Sequence, residues 1–240
     1  MQIEEMPPDL SRVVLRWILS VADTKHQIGM QFSHWVTGTP ALEAAVGSAA
    51  ITQDELGHAR SPYRLIKNHP DSPSGVGSEN DLRDRQIFYA PKGVVLRWKN
   101  WTNVVAIMLL LDSAIEIVIS KTANSAFVDL AGKTSKIIQE EYFHRVFAAS
   151  WVKKLATMSA ETQMQLQNDI AWAWSIADSW IGPSDDPAAK LLVDQGILNA
   201  GVDSIREEWL AHVQPILEDN GLYVPDFRSE WHNWNVEYRE

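Results

Sequence analysis

The chain has 240 residues and a mass of 27.0 kDa, with 45% hydrophobic and 22% charged residues, which suits one globular domain with a sizeable core. A net charge of −10 and a pI near 5.2 argue against nucleic acid as the main partner, because phosphate binding needs a basic surface. Cysteine is absent, which excludes disulfides, zinc–thiolate sites and a cysteine nucleophile.

Residues 1–9 read as an irregular lead-in ending at Pro7-Pro8-Asp9, acidic and unlike a signal peptide. No apolar run is expected to reach the ~18 residues of a membrane span, so a cytoplasmic protein without membrane contact is the expectation. From Arg12 to about Thr37, Val13, Leu15, Ile18, Leu19, Ala22, Ile28, Met30, Phe32 and Trp35 recur at helical spacing. Thr37-Gly38-Thr39-Pro40 stops this helix, and a second runs to about Lys67. The polar stretch 68–83, rich in Pro, Gly and Ser, reads as a crossover. A third helix is expected from about Val94 to Lys121, apolar nearly all round and therefore buried. A fourth is expected from about Ser125 to Ala156 and a fifth from Ala160 to Trp180. A short helix over Ala188–Gln195 and a last one from Val202 to Asn220 follow, the latter capped by Gly221. Trp231, Trp234 and Tyr238 give the tail an aromatic face that can dock on the body.

Helix, helix, crossover, helix, helix is the order of a ferritin-like four-helix bundle. The expected fold is therefore all-α, a single domain over 1–240, with a core bundle at about 10–157 and additional C-terminal helices at about 158–240. The chemistry lies in two Glu-x-x-His pairs, Glu55/His58 and Glu141/His144, each in the middle of a long helix. Residues three apart share a helix face. A carboxylate and an imidazole in a helical core are costly unless something neutralises them, and a metal ion would do so. Carboxylate-bridged two-metal sites use two such pairs and one carboxylate from each of the other two helices. Hairpin geometry puts residues near 23 opposite Glu55, so Asp23 is the first-helix candidate, with His26 on the same face as the alternative. On the third helix Asp112 and Glu116 share a face, and either can be the fourth carboxylate. The competing reading makes both pairs solvent-facing, with Glu55 on Arg60 and Glu141 on Arg145.

Ile28-Gly29-Met30-Gln31, then Trp35, Pro40, Leu42 and Gln53-Asp54-Glu55-x-Gly57-His58 resemble the first hairpin of catalytic subunits of the phenylacetate-catabolism family, the oxygenase core of phenylacetyl-CoA epoxidase. The Asp23-to-Trp35 spacing and the segment from Ile205-Arg206-Glu207-Glu208-Trp209 to Gly221-Leu222 are more similar to the structural partner subunit. The resemblance implies a ferritin-like fold and a two-iron site, manganese being a second possibility, that activates O2 with electrons from a separate reductase. It implies an aromatic or acyl-CoA substrate and either a homologous subunit or a homo-oligomer as partner. Carried over by position it selects Glu55, His58, Glu141 and His144, favours Asp112 over Glu116, and leaves Asp23 and His26 open. Arg60, Arg64 and Lys67 are candidates for a basic surface facing a CoA group. The alternative it implies is a non-catalytic structural subunit of such an oxygenase.

Overall fold

Two long helical hairpins build the core. The first is α1 (Pro8–Trp35) and α2 (Leu42–Ile66), which pack along their lengths. The second is α4 (Trp101–Ser120) and α5 (Val128–Met158), preceded by a single-turn helix α3 (Lys92–Val95). These bounds come from a computed structural model that describes residues 2–76, 85, 87–226 and 231–240. Met1 and positions 77–83 of the expected crossover lie outside the described residues.

α2 packs on α5 and α4 on α5, closing the bundle. α6 (Ala160–Ile181) covers α4 and α5, α7 (Pro187–Asp194) lies on α1, and α8 (Val202–Glu218) lies on α4. The fold is all-α and ferritin-like, 71% helical.

Local chemistry sets the helix ends. Pro8 and Pro187 occupy first turns, where a missing N–H costs nothing. Asn100, Ser159 and Asp186 each accept a hydrogen bond from a first-turn backbone N–H. Gly221 takes φ +66 after α8, as its expected role at the helix end requires.

The lead-in is more ordered than expected. Ile3–Glu5 forms a 3-10 turn and Ile3 and Met6 are buried, because these apolar side chains extend the core cluster. The third helix does not start at Val94: the chain leaves α3, runs extended at Leu96, and restarts at Trp101 under the Asn100 cap. Trp101–Ser120 is also long and apolar enough to cross a membrane by length and composition, contrary to the reading of the sequence, and all of it is buried by the surrounding helices.

α4 is not a uniform α-helix. Met108–Asp112 forms a π turn, which inserts one extra residue into the helix. The Leu110 carbonyl accepts hydrogen bonds from the Trp209 indole at 2.9 Å and from the Ser113 hydroxyl at 3.1 Å. The wider turn is thus tied to α8, and it places Asp112 in the bundle interior.

Candidate metal cage and its lysine

Four helices deliver charged side chains to one point in the bundle. α2 supplies Glu55 and His58, α4 supplies Asp112, and α5 supplies Glu141 and His144, all buried. Glu55, Asp112, Glu141 and His144 each offer a ligand atom, and these atoms lie within 4.8 Å of one another, so the cluster could hold a metal ion. His144 Nδ1 is 3.1 Å from Glu55, 3.2 Å from Glu141 and 3.4 Å from Asp112. His58 Nδ1 is 3.0 Å from Glu141, and its Nε2 meets Glu140 at 2.9 Å. The solvent-facing alternative for the two pairs fails, since Glu55 and Glu141 are 0% and 1% exposed.

The contribution of α1 is not an acid. Lys25 enters the centre of the cluster with its side chain 0% exposed. Its Nζ donates to Glu55 at 3.1 Å and makes shorter contacts with Asp112 and Glu141. A fully buried lysine is rare unless paired, and this one has three carboxylates around it. Burial alone would lower its pKa; Asp112, Glu141 and Glu55 outweigh burial and hold it well above the usual lysine value. Asp112 is raised to about 7 by burial and by the neighbouring Glu141 and Glu55. Burial also works against the charged form of Glu141, but Lys25 and His144 hold its pKa well below the carboxylate range. Both imidazoles are raised against burial: His58 chiefly by its contact with Glu141, His144 by the charge of Glu141.

The candidates at other positions go elsewhere. Asp23 is not brought to the cage. It accepts two hydrogen bonds from Arg85 at 2.7 and 2.8 Å, one from the Tyr89 backbone N–H at 2.6 Å, and a short one from the Tyr63 hydroxyl. Burial and the Asp23 carboxylate raise the Tyr63 pKa well above its usual value. His26 stacks on Phe88 at 5.4 Å outside the cage, and burial lowers its pKa. Glu116 pairs with Arg145. His26 and Arg60 line a cleft of about 610 Å³ on the α1–α2 face, while Arg64 and Lys67 are exposed.

A two-metal carboxylate site needs six protein ligands, one of them an acid from the first helix. Here α1 presents an ammonium at that centre, and it shares three of the carboxylates a metal would need. The residues present therefore do not fit the two-iron group. A single ion could use Glu55, Asp112, Glu141 and His144 only in place of the Lys25 ammonium.

Lysine ordinarily reads as a surface residue, which is why this position escaped sequence reading. Spacing alone does not single it out, since Asp23 and Thr24 beside it are buried as well. Ile18, Ala22, Lys25, Gly29 and Phe32 run down one face of α1 and all are buried.

The chain is 23% identical over 214 residues to a subunit of the 1,2-phenylacetyl-CoA epoxidase of Escherichia coli (strain K12), covering 87% of this chain and 83% of the relative. A family model described as phenylacetic acid catabolic protein matches residues 1–240. Across its whole length the chain thus belongs to the phenylacetic acid catabolic protein family.

Proposed function

We propose that this chain is a non-catalytic subunit of a cytoplasmic, multicomponent oxygenase acting on an aromatic acyl-CoA thioester, and that it pairs with a metal-bearing homologue. The observation that carries this reading is Lys25, an internal cation seated among Glu55, Asp112 and Glu141. It neutralises the carboxylates that would otherwise require a metal ion. The chain can then keep the bundle architecture of a metalloenzyme without depending on metal for folding. The relative's role as one subunit of an epoxidase supports a place in an assembly.

The surface supports it too. Leu42 and Val46 on α2 and Phe143 and Val146 on α5 are exposed apolar residues on two helices in contact. Gly47 lies against the Phe147 ring, so the two helices meet closely at this face. A strip of this kind suits a subunit interface.

The test is metal content together with partner capture. The chain is expressed in iron-replete cells alone and with a metal-bearing family homologue, beside Lys25→Ala. The expected result is far less than one iron per wild-type chain and a stable complex with the homologue. Roughly two irons per isolated wild-type chain would overturn the proposal and restore the two-iron oxygenase component.

A further inference from the structure

A second site lies away from the cage, where α1, α7, α8 and the C-terminal tail meet, open to solvent past the exposed Arg12 and Arg16 and with Arg239 half-buried in its wall. The cavity there has a volume of about 360 Å³ and is walled by Val13, Trp17, Val118, Leu192, Val202 and Ile205. That size and apolar lining fall within the range of small-molecule sites. Its contacts on α1 end at Ser20, about one and a half turns before Lys25.

One cation is built into this apolar wall. Arg239 reaches the cavity from the tail, held between the Trp180 and Trp234 rings at 5.3 and 5.4 Å. Its Nη2 donates to the Ile181 carbonyl at 2.7 Å and its Nε to the Trp180 carbonyl. Among the described residues its Nη1 has no protein acceptor, and no carboxylate lies within 4.0 Å of the guanidinium. Burial pulls its pKa down to about 10, the sign of a charge short of a counter-ion.

The backbone is arranged around this arginine. Arg239 itself sits at φ +52, an uncommon conformation for a residue with a side chain. Gly182 sits at φ +91, and a Cβ there would meet the Trp234 ring at 2.9 Å and Arg239 Nη2 at 3.0 Å. Strain of this kind persists where the surrounding structure over-determines it, often at binding sites. Asp186 also lines the cavity, but one of its oxygens caps α7 through the Ala188 N–H. Its other oxygen is buried without a hydrogen-bond partner, and its charge partly offsets the effect of burial on Arg239. Arg12 and Arg16, also on the cavity wall, are exposed and already paired, Arg12 with Asp9 and Asp71 and Arg16 with Glu237, which leaves Arg239 as the wall's cation without an ion pair among the described residues.

We infer that this cavity binds a small monocarboxylate with an apolar body, its carboxylate paired with Arg239 and its body against the α1, α7 and α8 side chains. The inference does not depend on the proposed function. A charged hydrogen bond to a planar guanidinium is the strongest contact such a head group can make, and the apolar walls favour a hydrocarbon body.

The probe is sodium octanoate, with octanol and octylamine as uncharged and cationic controls, titrated calorimetrically into the full-length chain. The expected result is saturable binding of one octanoate per chain, with both controls at least tenfold weaker or absent. Arg239→Gln should weaken octanoate at least tenfold. Ala189→Trp, which fills the cavity and leaves Arg239 intact, should abolish binding and decides the location if Arg239→Gln does not fold. No saturable octanoate binding to the wild type would overturn the inference. So would octanol binding as tightly as octanoate, or octanoate binding unchanged in Ala189→Trp.

Discussion

Two buried charge clusters hang from α1, two residues apart in sequence and roughly 200° apart around the helix. On one side Asp23 meets Arg85, Tyr63 and the Tyr89 backbone N–H, so one acid has one base and two neutral donors. On the other side Lys25 meets three carboxylates, with His58 and His144 close by. The first cluster is closed: every strong acceptor has its donor, and its work is to pin the end of the crossover to α1. The second has the composition of a metal site with an ammonium at its centre. Both α1 side chains, Asp23 and Lys25, are 0% exposed, so their burial does not distinguish a structural ion pair from a former or latent ligand set. The ratio of acids to bases does.

The comparison breaks most sharply at Lys25. Lys25→Met leaves three carboxylates buried without their ammonium, and the loss should be at least the ~3–5 kcal/mol of breaking one buried pair. Urea unfolding measures it, and Co(II) should recover part of the loss by binding the folded state only. A loss under about 1 kcal/mol, or no response to Co(II), would mean that the two clusters do not differ in kind.

Arg85→Met should cost less, about 2–4 kcal/mol, because Tyr63 and the Tyr89 N–H still serve Asp23. The same unfolding experiment should find no recovery with Co(II). Recovery there would remove the contrast. Gly29→Ala probes the cage without touching its charges. The new Cβ would lie 3.0 Å from the Glu55 Cβ and 3.2 Å from Leu56, and overpacking at α1–α2 should cost about 1–3 kcal/mol. Combined with Arg85→Met the losses should add; combined with Lys25→Met they should not. The smallest effect belongs to Glu116→Gln at the rim. It keeps a hydrogen bond to the partly exposed Arg145, so about 1 kcal/mol or less is expected from thermal unfolding.

Much of this was legible in the sequence, for physical reasons particular to each element. The apolar run 104–111 announced a buried helix because no amphipathic alternative exists for it. The two Glu-x-x-His pairs announced the cage because residues three apart on long helices must share a face. Asp112 and Glu116 share a face and were not separable by spacing; only the family resemblance favoured Asp112. The crossover gave no such purchase: Arg85, which captures Asp23, lies in a segment without periodicity, so nothing marked it as the partner. Asp23 and Lys25 both sit in the polar run Asp23-Thr24-Lys25-His26-Gln27, where helical spacing alone does not say which residue turns inward. The restart at Trp101 under the Asn100 cap was not read, because the apolar residues from Val94 onward continue a helical pattern across it.

The π turn at Met108–Asp112 sets a phase. Its extra residue lets the walls of α4 before and after it both face their neighbours, with Asp112 at the junction. Removing any one of residues 108–111 would return the turn to α-helical geometry. The α-helical turn covers nearly the same arc with one residue fewer, so the walls on either side, and Asp112 with them, keep their phase while the wide turn itself disappears. The Leu110 carbonyl held by Trp209 would lose its wider turn in the same event. Length at this point of the chain therefore decides whether the wide turn exists, and α8, far along the sequence, is the reader of that length.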